Sequence, residues 1–212
     1  MARELITIGP DASLGEALHL LKSHRIRRLL VVEDEALLGV LTPQDVERAM
    51  PAALDPTASE EQRQQAGQVP VRAMMTPSPI SVSPEDPLEH VAAIMRRNKI
   101  GGLPVTQRGR LVGIITESNL LGALMEMLGA EATEAIRINV SLPRSAEALF
   151  DFLDLLREFD VDPLSLVQHC NACHDQRQLT LRVAGGRSEE LLEELANSGI
   201  RLNRVLRPGM PN

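Results

Sequence analysis

The chain contains one unit twice: Thr7 to Val46 and Ser81 to Leu120 align without a gap at a constant offset of 74 residues. Coincident pairs include Pro10/Pro84, Leu14/Leu88, Ile26/Ile100, Leu29/Leu103, Val31/Val105, Leu37/Leu111, Gly39/Gly113 and Thr42/Thr116. Each copy reads helix, short strand, turn, short strand, helix. In the first, Leu14, Ala17, Leu18 and Leu21 recur at helical spacing, and two apolar runs, Leu29 to Val32 and Leu37 to Leu41, flank the acidic turn Glu33-Asp34-Glu35. A unit this small cannot bury its own apolar face, so the two copies are expected to pack together and share a core.

Composition narrows the function classes. With 43% apolar and 24% charged residues, 212 residues suffice for two compact lobes. Met1 to Ile6 lacks the basic start and long apolar run of a signal peptide, and no apolar stretch approaches a membrane span. A cytoplasmic protein without a membrane partner is expected. A net charge of −7 argues against nucleic acid as a partner, because phosphates are neutralised by lysine and arginine. The lack of Trp and Tyr also removes the usual stacking platform for single strands. Two cysteines in a reducing compartment do not predict a structural disulfide.

Between the copies, residues 51–68 carry Pro51, Pro56, Thr57 and Ser59 before a polar run from Glu60 to Gln65, which reads as a solvated helix within a linker. Leu120 to Leu128 is apolar and helical, with Gly129 as its stop. A different pattern begins at Ala135. Ile136, Ile138, Val140 and Leu142 alternate as a half-buried strand, and Ser145 can cap a helix from Ala146 to Phe159. Leu164 to His169 and Leu179 to Val183 read as strands, Ser188 to Asn197 as a second capped helix ended by Gly199, and Ile200 to Leu206 as a last strand. That order, βαββαβ, is the ferredoxin-like split βαβ arrangement.

The two copies resemble a tandem pair of cystathionine-β-synthase (CBS) domains, a Bateman module. The resemblance rests on Arg27 to Val32 (Arg-Arg-Leu-Leu-Val-Val) with Gly39 to Asp45 (Gly-Val-Leu-Thr-Pro-Gln-Asp), and on Gly102-Leu-Pro104-Val with Gly113 to Asn119 (Gly-Ile-Ile-Thr-Glu-Ser-Asn). The tail resembles an ACT domain, and a CBS pair followed by ACT is an AcuB-like layout. The expected fold class is thus α/β (α+β): two CBS βαββα-type units packed as a pair, plus a ferredoxin-like βαββαβ ACT domain. Expected boundaries are 1–50 for the first CBS domain, 51–68 for the linker, 69–129 for the second CBS domain and 134–208 for the ACT-like domain.

Asp45 follows Thr42 by three positions at the opening of a helix, so its carboxylate can face the same cleft as the Thr42 hydroxyl and the first backbone N–H groups. A vicinal ribose diol can donate two hydrogen bonds to one carboxylate, while a helix N-terminus and a threonine hydroxyl suit a phosphate. The alternative is that Thr42 and Asp45 merely cap the helix. The resemblance implies that these positions, with Thr116 and Asn119 in the second copy, hold the ribose and phosphate of an adenine nucleotide: AMP, ADP or ATP. Arg25, Arg27 and Arg28, or Arg96, Arg97 and Lys99, could neutralise its phosphates or simply suit a helix C-terminus. Arg27 and Arg28 rank highest because they adjoin a strand. Gly101 and Gly102 either let the backbone approach a planar base or permit a tight turn.

The two sites are expected to differ. Asn119 stands where the first copy has Asp45, and Leu30 where the second has Pro104. Met1 aligns with Met75, so the first copy lacks a counterpart to Val69 to Met74, the segment that in related proteins lines the adenine pocket. On this reading the first site keeps the better ribose ligand behind an incomplete wall, and the second has the wall with a weaker ligand.

Cys170-Asn-Ala-Cys173-His174, preceded by His169, matches a C-x-x-C-H pattern and offers soft metal ligands, or is a polar hairpin tip. His19, His24 and His90 lack a paired nucleophile or carboxylate motif, so no enzyme is indicated. The ACT resemblance implies a ligand-loop glycine that Leu142 to Ala146 lacks, leaving sheet pairing between chains as the safer inference. A homodimer is expected through Val91, Ala92, Ile94 and Met95 with Leu120, Leu121, Leu124 and Met125, unless these pack within one CBS pair. The resulting expectation is a noncatalytic regulatory protein that senses adenine nucleotides and passes occupancy to the ACT lobe or a partner protein. The alternatives are a metal- or redox-responsive protein and a ligand-free dimerisation scaffold.

Overall fold

The duplicated spacing reappears as a duplicated backbone. The computed structural model describes residues 5–49, 59, 61, 67–169, 176–185 and 187–208. Most of the expected linker helix therefore lies outside the described residues. The chain divides into two compact units, Met1–Leu120 and Leu121–Asn212.

In the first copy β1 (Thr7–Ile8), α1 (Leu14–Ser23), β2 (Leu29–Glu33), β3 (Ala36–Leu41) and α2 (Pro43–Ala49) follow one another. A 3-10 turn (Val71–Ala73) and β4 (Thr76–Pro77) precede the second copy: α3 (Leu88–Asn98), β5 (Gly102–Gln107), β6 (Arg110–Thr116) and α4 (Glu117–Met127). The antiparallel registers correspond residue for residue. Leu29 faces Leu41 as Leu103 faces Ile115, and a bulge falls between Val31 and Val32 as it does between Val105 and Thr106. Both hairpins turn in two residues with positive φ, Asp34 and Glu35 (48° and 66°) and Arg108 and Gly109 (52° and 81°). That is the turn hand that matches strand twist.

The parallel contacts correspond too, with one instructive loss. β1 pairs with β2 at Thr7↔Leu30 and Ile8↔Val31, whereas the second copy keeps only the bridge Val82↔Val105. Pro104 occupies the position of Leu30 and has no N–H for a further bond, a deficit tolerated because β5 is an edge strand. The sheet runs β1-β2-β3-β6-β5, joined at Ala36↔Arg110. The exposed Arg110–Glu35 ion pair (3.1 Å) and the bond from the Leu111 N–H to the Glu35 carbonyl (3.1 Å) reinforce that junction.

Each copy has its own core. All six buried residues of the second, Val82, Val91, Met95, Leu103, Val105 and Ile115, have buried equivalents in the first: Ile8, Ala17, Leu21, Leu29, Val31 and Leu41. Burying such side chains stabilises by roughly 1.5–3 kcal/mol each. The first core also takes in Val71, with Val69, Met74 and Met75 packed against it. Backbone bonds from Leu14 N–H to Val69 carbonyl and from Val71 N–H to Ala12 carbonyl (2.9 Å each) tie this segment down, and β4 pairs with β3. The expectation that Val69 to Met74 walls the second copy is thereby corrected. The segment completes the first, because Gly39 leaves room for Met75: a Cβ there would stand 2.5 Å from its sulfur.

In the second unit β7 (Ile136–Pro143), α5 (Ala146–Glu158), β8 (Asp162–His169), β9 (Gln176–Ala184), α6 (Ser188–Asn197) and β10 (Arg201–Leu206) form the ferredoxin-like arrangement, with sheet order β10-β7-β9-β8. Ile138, Val140 and Leu142 meet Phe152, Leu156, Leu191 and Leu195 in its core. Ser145 caps α5 by accepting from the Ala148 N–H (3.2 Å). The cap expected from Ser188 is absent; its hydroxyl donates to the Gly185 carbonyl (2.6 Å), and Arg187 occupies the cap position. The Arg187 guanidinium lies over the Phe159 ring and donates to the Glu158 carbonyl (2.6 Å). Gly129, with φ +61°, ends α4 as expected. No helix among the described residues is long and apolar enough to cross a membrane.

Candidate functional site

Both Thr-x-x-Asp/Asn segments form reciprocal capping boxes. Thr42 donates to Asp45 Oδ2 through its N–H (2.9 Å) and its hydroxyl (2.7 Å), while the Asp45 N–H reaches back to Thr42 Oγ1 (3.3 Å). Arg48 takes the other carboxylate oxygen, and Asp45 is buried. In the second copy the Thr116 N–H (3.0 Å) and hydroxyl (2.9 Å) both donate to Asn119 Oδ1, and the Asn119 N–H reaches back to Thr116 Oγ1 (3.3 Å). The capping alternative is therefore realised twice. It engages Asp45 Oδ2 and Asn119 Oδ1 twice each and satisfies one backbone N–H at each helix N-terminus.

A cavity of about 500 Å³ lies between the copies, within the size range of small-molecule sites. On one side stand Arg25, Arg27 and Arg28, which follow α1 where Arg25 adopts a left-handed φ of 52° and the chain turns into β2. Opposite are Thr116, Glu117, Ser118 and Asn119, the opening of α4, with Gly101 between. Leu5, Ile6, Ile26, Leu30 and Ile114 supply an apolar wall. The cavity thus joins cations, a helix N-terminus and apolar surface, a combination that suits an anionic group attached to a flat apolar one.

Arg28 is the most constrained of these groups. Burial pulls its guanidinium below its ordinary pKa; the Glu117 carboxylate opposes that shift and Arg27 adds to it. Arginine nevertheless stays charged at neutral pH. Its guanidinium lies over the two glycines: a Cβ on Gly102 would stand 3.1 Å from Arg28 NH1, and one on Gly101 would stand 3.1 Å from NH2 and 2.8 Å from Glu117 Oε2. The glycines make room for Arg28 and Glu117, a role distinct from the tight turn or the approach to a base.

Of the residues singled out from sequence, Arg27, Arg28, Thr116 and Asn119 meet at this cavity, whereas Thr42, Asp45, Gly102 and Pro104 are not among its lining. Arg96, Arg97 and Lys99 are exposed around the end of α3, His19 and His90 are exposed on helices, and His24 is exposed at the C-cap of α1. Cys170, Cys173 and His174 lie outside the described residues. Sequence reasoning missed Glu117 and the Leu5–Ile6 wall; the signal available for Glu117 was its place beside Thr116, where the first copy has Pro43. The helical face expected to join two chains divides. Val91 and Met95 are buried in the second core, because their equivalents Ala17 and Leu21 define the core side of the helix, while Leu121, Leu124 and Met125 are exposed.

The chain belongs to the CBS-domain family, whose model matches residues 1–52 and 71–126. It is 33% identical over 130 residues to a CBS domain-containing protein of Dictyostelium discoideum, covering 60% of this chain and 90% of the relative. It is 31% identical over 136 residues to the CBS domain-containing protein YhcV of Bacillus subtilis (strain 168), covering 64% and 89%. Among solved structures it is similar to a candidate acetoin utilization protein (AcuB) from Vibrio cholerae, with a TM-score of 0.52 and 29% identity over 62% of this chain and 90% of that one. It also matches 22% of the length of an inosine-5′-monophosphate dehydrogenase from Korarchaeum cryptofilum (strain OPF8), at 33% identity over 56% of this chain.

Proposed function

We propose that this is a regulatory protein, not an enzyme, that binds an adenine nucleotide between its CBS repeats and passes occupancy to its C-terminal lobe or to a partner protein. The observation that carries the reading is the cavity in which Arg25, Arg27 and Arg28 face the Thr116–Asn119 helix opening beside an apolar wall. Phosphate goes to the cations, and the base to the apolar wall. AMP, ADP and ATP share this chemistry, so all three are candidate ligands. Similarity to a segment of a nucleotide-converting dehydrogenase supports a regulatory role, since that segment is a minor part of the enzyme.

The C-terminal lobe serves in this reading as an ACT-like output lobe that pairs chains. Support comes from its ferredoxin-like sheet, whose edge strand β8 carries the exposed Leu164 and Leu166, and from the exposed Leu121, Leu124 and Met125 of α4. A homodimer follows, checked by sedimentation equilibrium of the full chain and of a Leu121→Glu, Leu124→Glu variant. The wild type is expected to be dimeric and the variant shifted toward monomer; a monomeric wild type at high micromolar concentration contradicts the proposal.

Thermal unfolding with and without AMP, ADP and ATP tests ligand class. A nucleotide at about one hundred times its dissociation constant adds about 2.7 kcal/mol of stability and raises Tm. Unchanged Tm with all three, in folded and nucleotide-free protein, would sink the reading.

A further inference from the structure

The duplication that gives the first copy Asp45 leaves the second copy without a carboxylate at the equivalent position, Asn119. The loss is deeper than one charge. Asn119 Oδ1 already accepts from the Thr116 N–H and hydroxyl, and the remaining amide NH₂ can only donate. A ribose hydroxyl can accept from that NH₂, but its own O–H finds no acceptor on Asn119. A different carboxylate lines the same cavity. Glu117 opens α4; among the described residues its side chain accepts no hydrogen bond and no cation lies within ion-pair distance, although its charge acts on Arg28. One of its oxygens stands 2.8 Å from where a Gly101 Cβ would be, with Arg28 NH2 beside the same glycine.

We propose that Glu117 reads the ribose in this cleft, accepting hydrogen bonds from the vicinal diol and making the site selective for ribonucleotides over deoxyribonucleotides. The inference rests on the adenine-nucleotide reading of the same cavity. Its chemistry divides the work: a carboxylate accepts only and matches the diol, Arg28 against the same glycine offsets the charge of Glu117, and Arg25 and Arg27 take the phosphate. A ligand with both a donor pair and an anion satisfies both sides. Because Glu117 is exposed, the discrimination is modest, about tenfold, well short of what a fully buried acceptor gives.

The test is calorimetric titration of the full chain with AMP, 2′-deoxy-AMP and 3′-deoxy-AMP, repeated on Glu117→Gln. The wild type is expected to bind AMP about tenfold more tightly than either deoxy form. In Glu117→Gln, AMP binding weakens toward theirs and the three agree within about twofold. A wild type that does not discriminate, or a variant that keeps the discrimination, overturns the role of Glu117 while leaving the nucleotide reading standing. Absence of binding by all three in the wild type overturns the nucleotide reading and this inference together. Should Glu117→Gln unfold, Glu117→Ala gives the same readout, and circular dichroism identifies the folded variant.

Discussion

The two repeats agree wherever the backbone demands it and diverge where they meet. Strand register, bulge, two-residue turns and six core positions correspond between the copies, yet Arg27 and Arg28 stand in the first where Gly101 and Gly102 stand in the second. The divergence is complementary. Positions 28 and 102 are equivalent and lie against each other, so an arginine in one requires a small residue in the other. A duplicated unit that packs on its own copy can build an asymmetric cleft by letting one copy grow a side chain into the space that the other vacates.

The largest difference between the repeats is expected at Leu14 and Leu88. Leu14 is fully buried beneath the Val69–Val71 segment, whereas Leu88 is 38% exposed. In chemical denaturation Leu14→Ala should cost about 2–5 kcal/mol, and Leu88→Ala under about 1 kcal/mol. Equal costs would contradict the assignment of the returning segment to the first core.

The next contrast concerns the cleft. Arg28→Ala should weaken AMP binding roughly tenfold to hundredfold, the loss of charged hydrogen bonds worth about 1.5–3 kcal/mol. Arg96→Ala, in the matching basic cluster outside the cavity, should change affinity less than about twofold. Titration calorimetry ranks the two, and an equal effect would dissolve the asymmetry.

A smaller contrast lies in the capping boxes. Asp45 is buried and engages Thr42 and Arg48, while Asn119 is exposed and engages Thr116 alone. Asp45→Ala is expected to cost about 1–2 kcal/mol of stability and Asn119→Ala about 0.5–1 kcal/mol. Thermal unfolding without ligand measures both; a larger loss at Asn119 would reverse the order.

Much of this fold was legible because local chemistry and burial agree. The alternation Ile136–Leu142, the Ser145 cap and the Gly129 stop each placed an element without knowledge of its neighbours. The repeat itself predicted which residues pair, since a common register keeps apolar side chains on one face. The packing of Val69 to Met75 on the first core is not legible in the sequence, because the pairing of β4 with β3 is a long-range contact that sequence proximity does not report. Of the two expectations for Val91 and Met95, a contact between chains or packing within the CBS pair, the second holds; helical spacing identifies an apolar stripe but not what covers it. In the cleft, the duplicated Thr-x-x-Asp/Asn motif drew attention to Asp45 and Asn119, whose oxygens turn out to be engaged in capping. Glu117 carries no motif, and only its juxtaposition with Arg28 and Gly101 brings it forward.

The central claim is that an adenine nucleotide occupies the cavity between Arg25–Arg28 and Thr116–Asn119. Photolabelling of the full, folded, nucleotide-free chain with 8-azido-AMP, followed by peptide mapping, tests it most directly. The label is expected in peptides spanning Leu5–Ile6, Ile26–Leu30 or Ile114–Asn119, and excess AMP should abolish it. Labelling confined to residues 136–206, or labelling that AMP does not displace, would contradict the account.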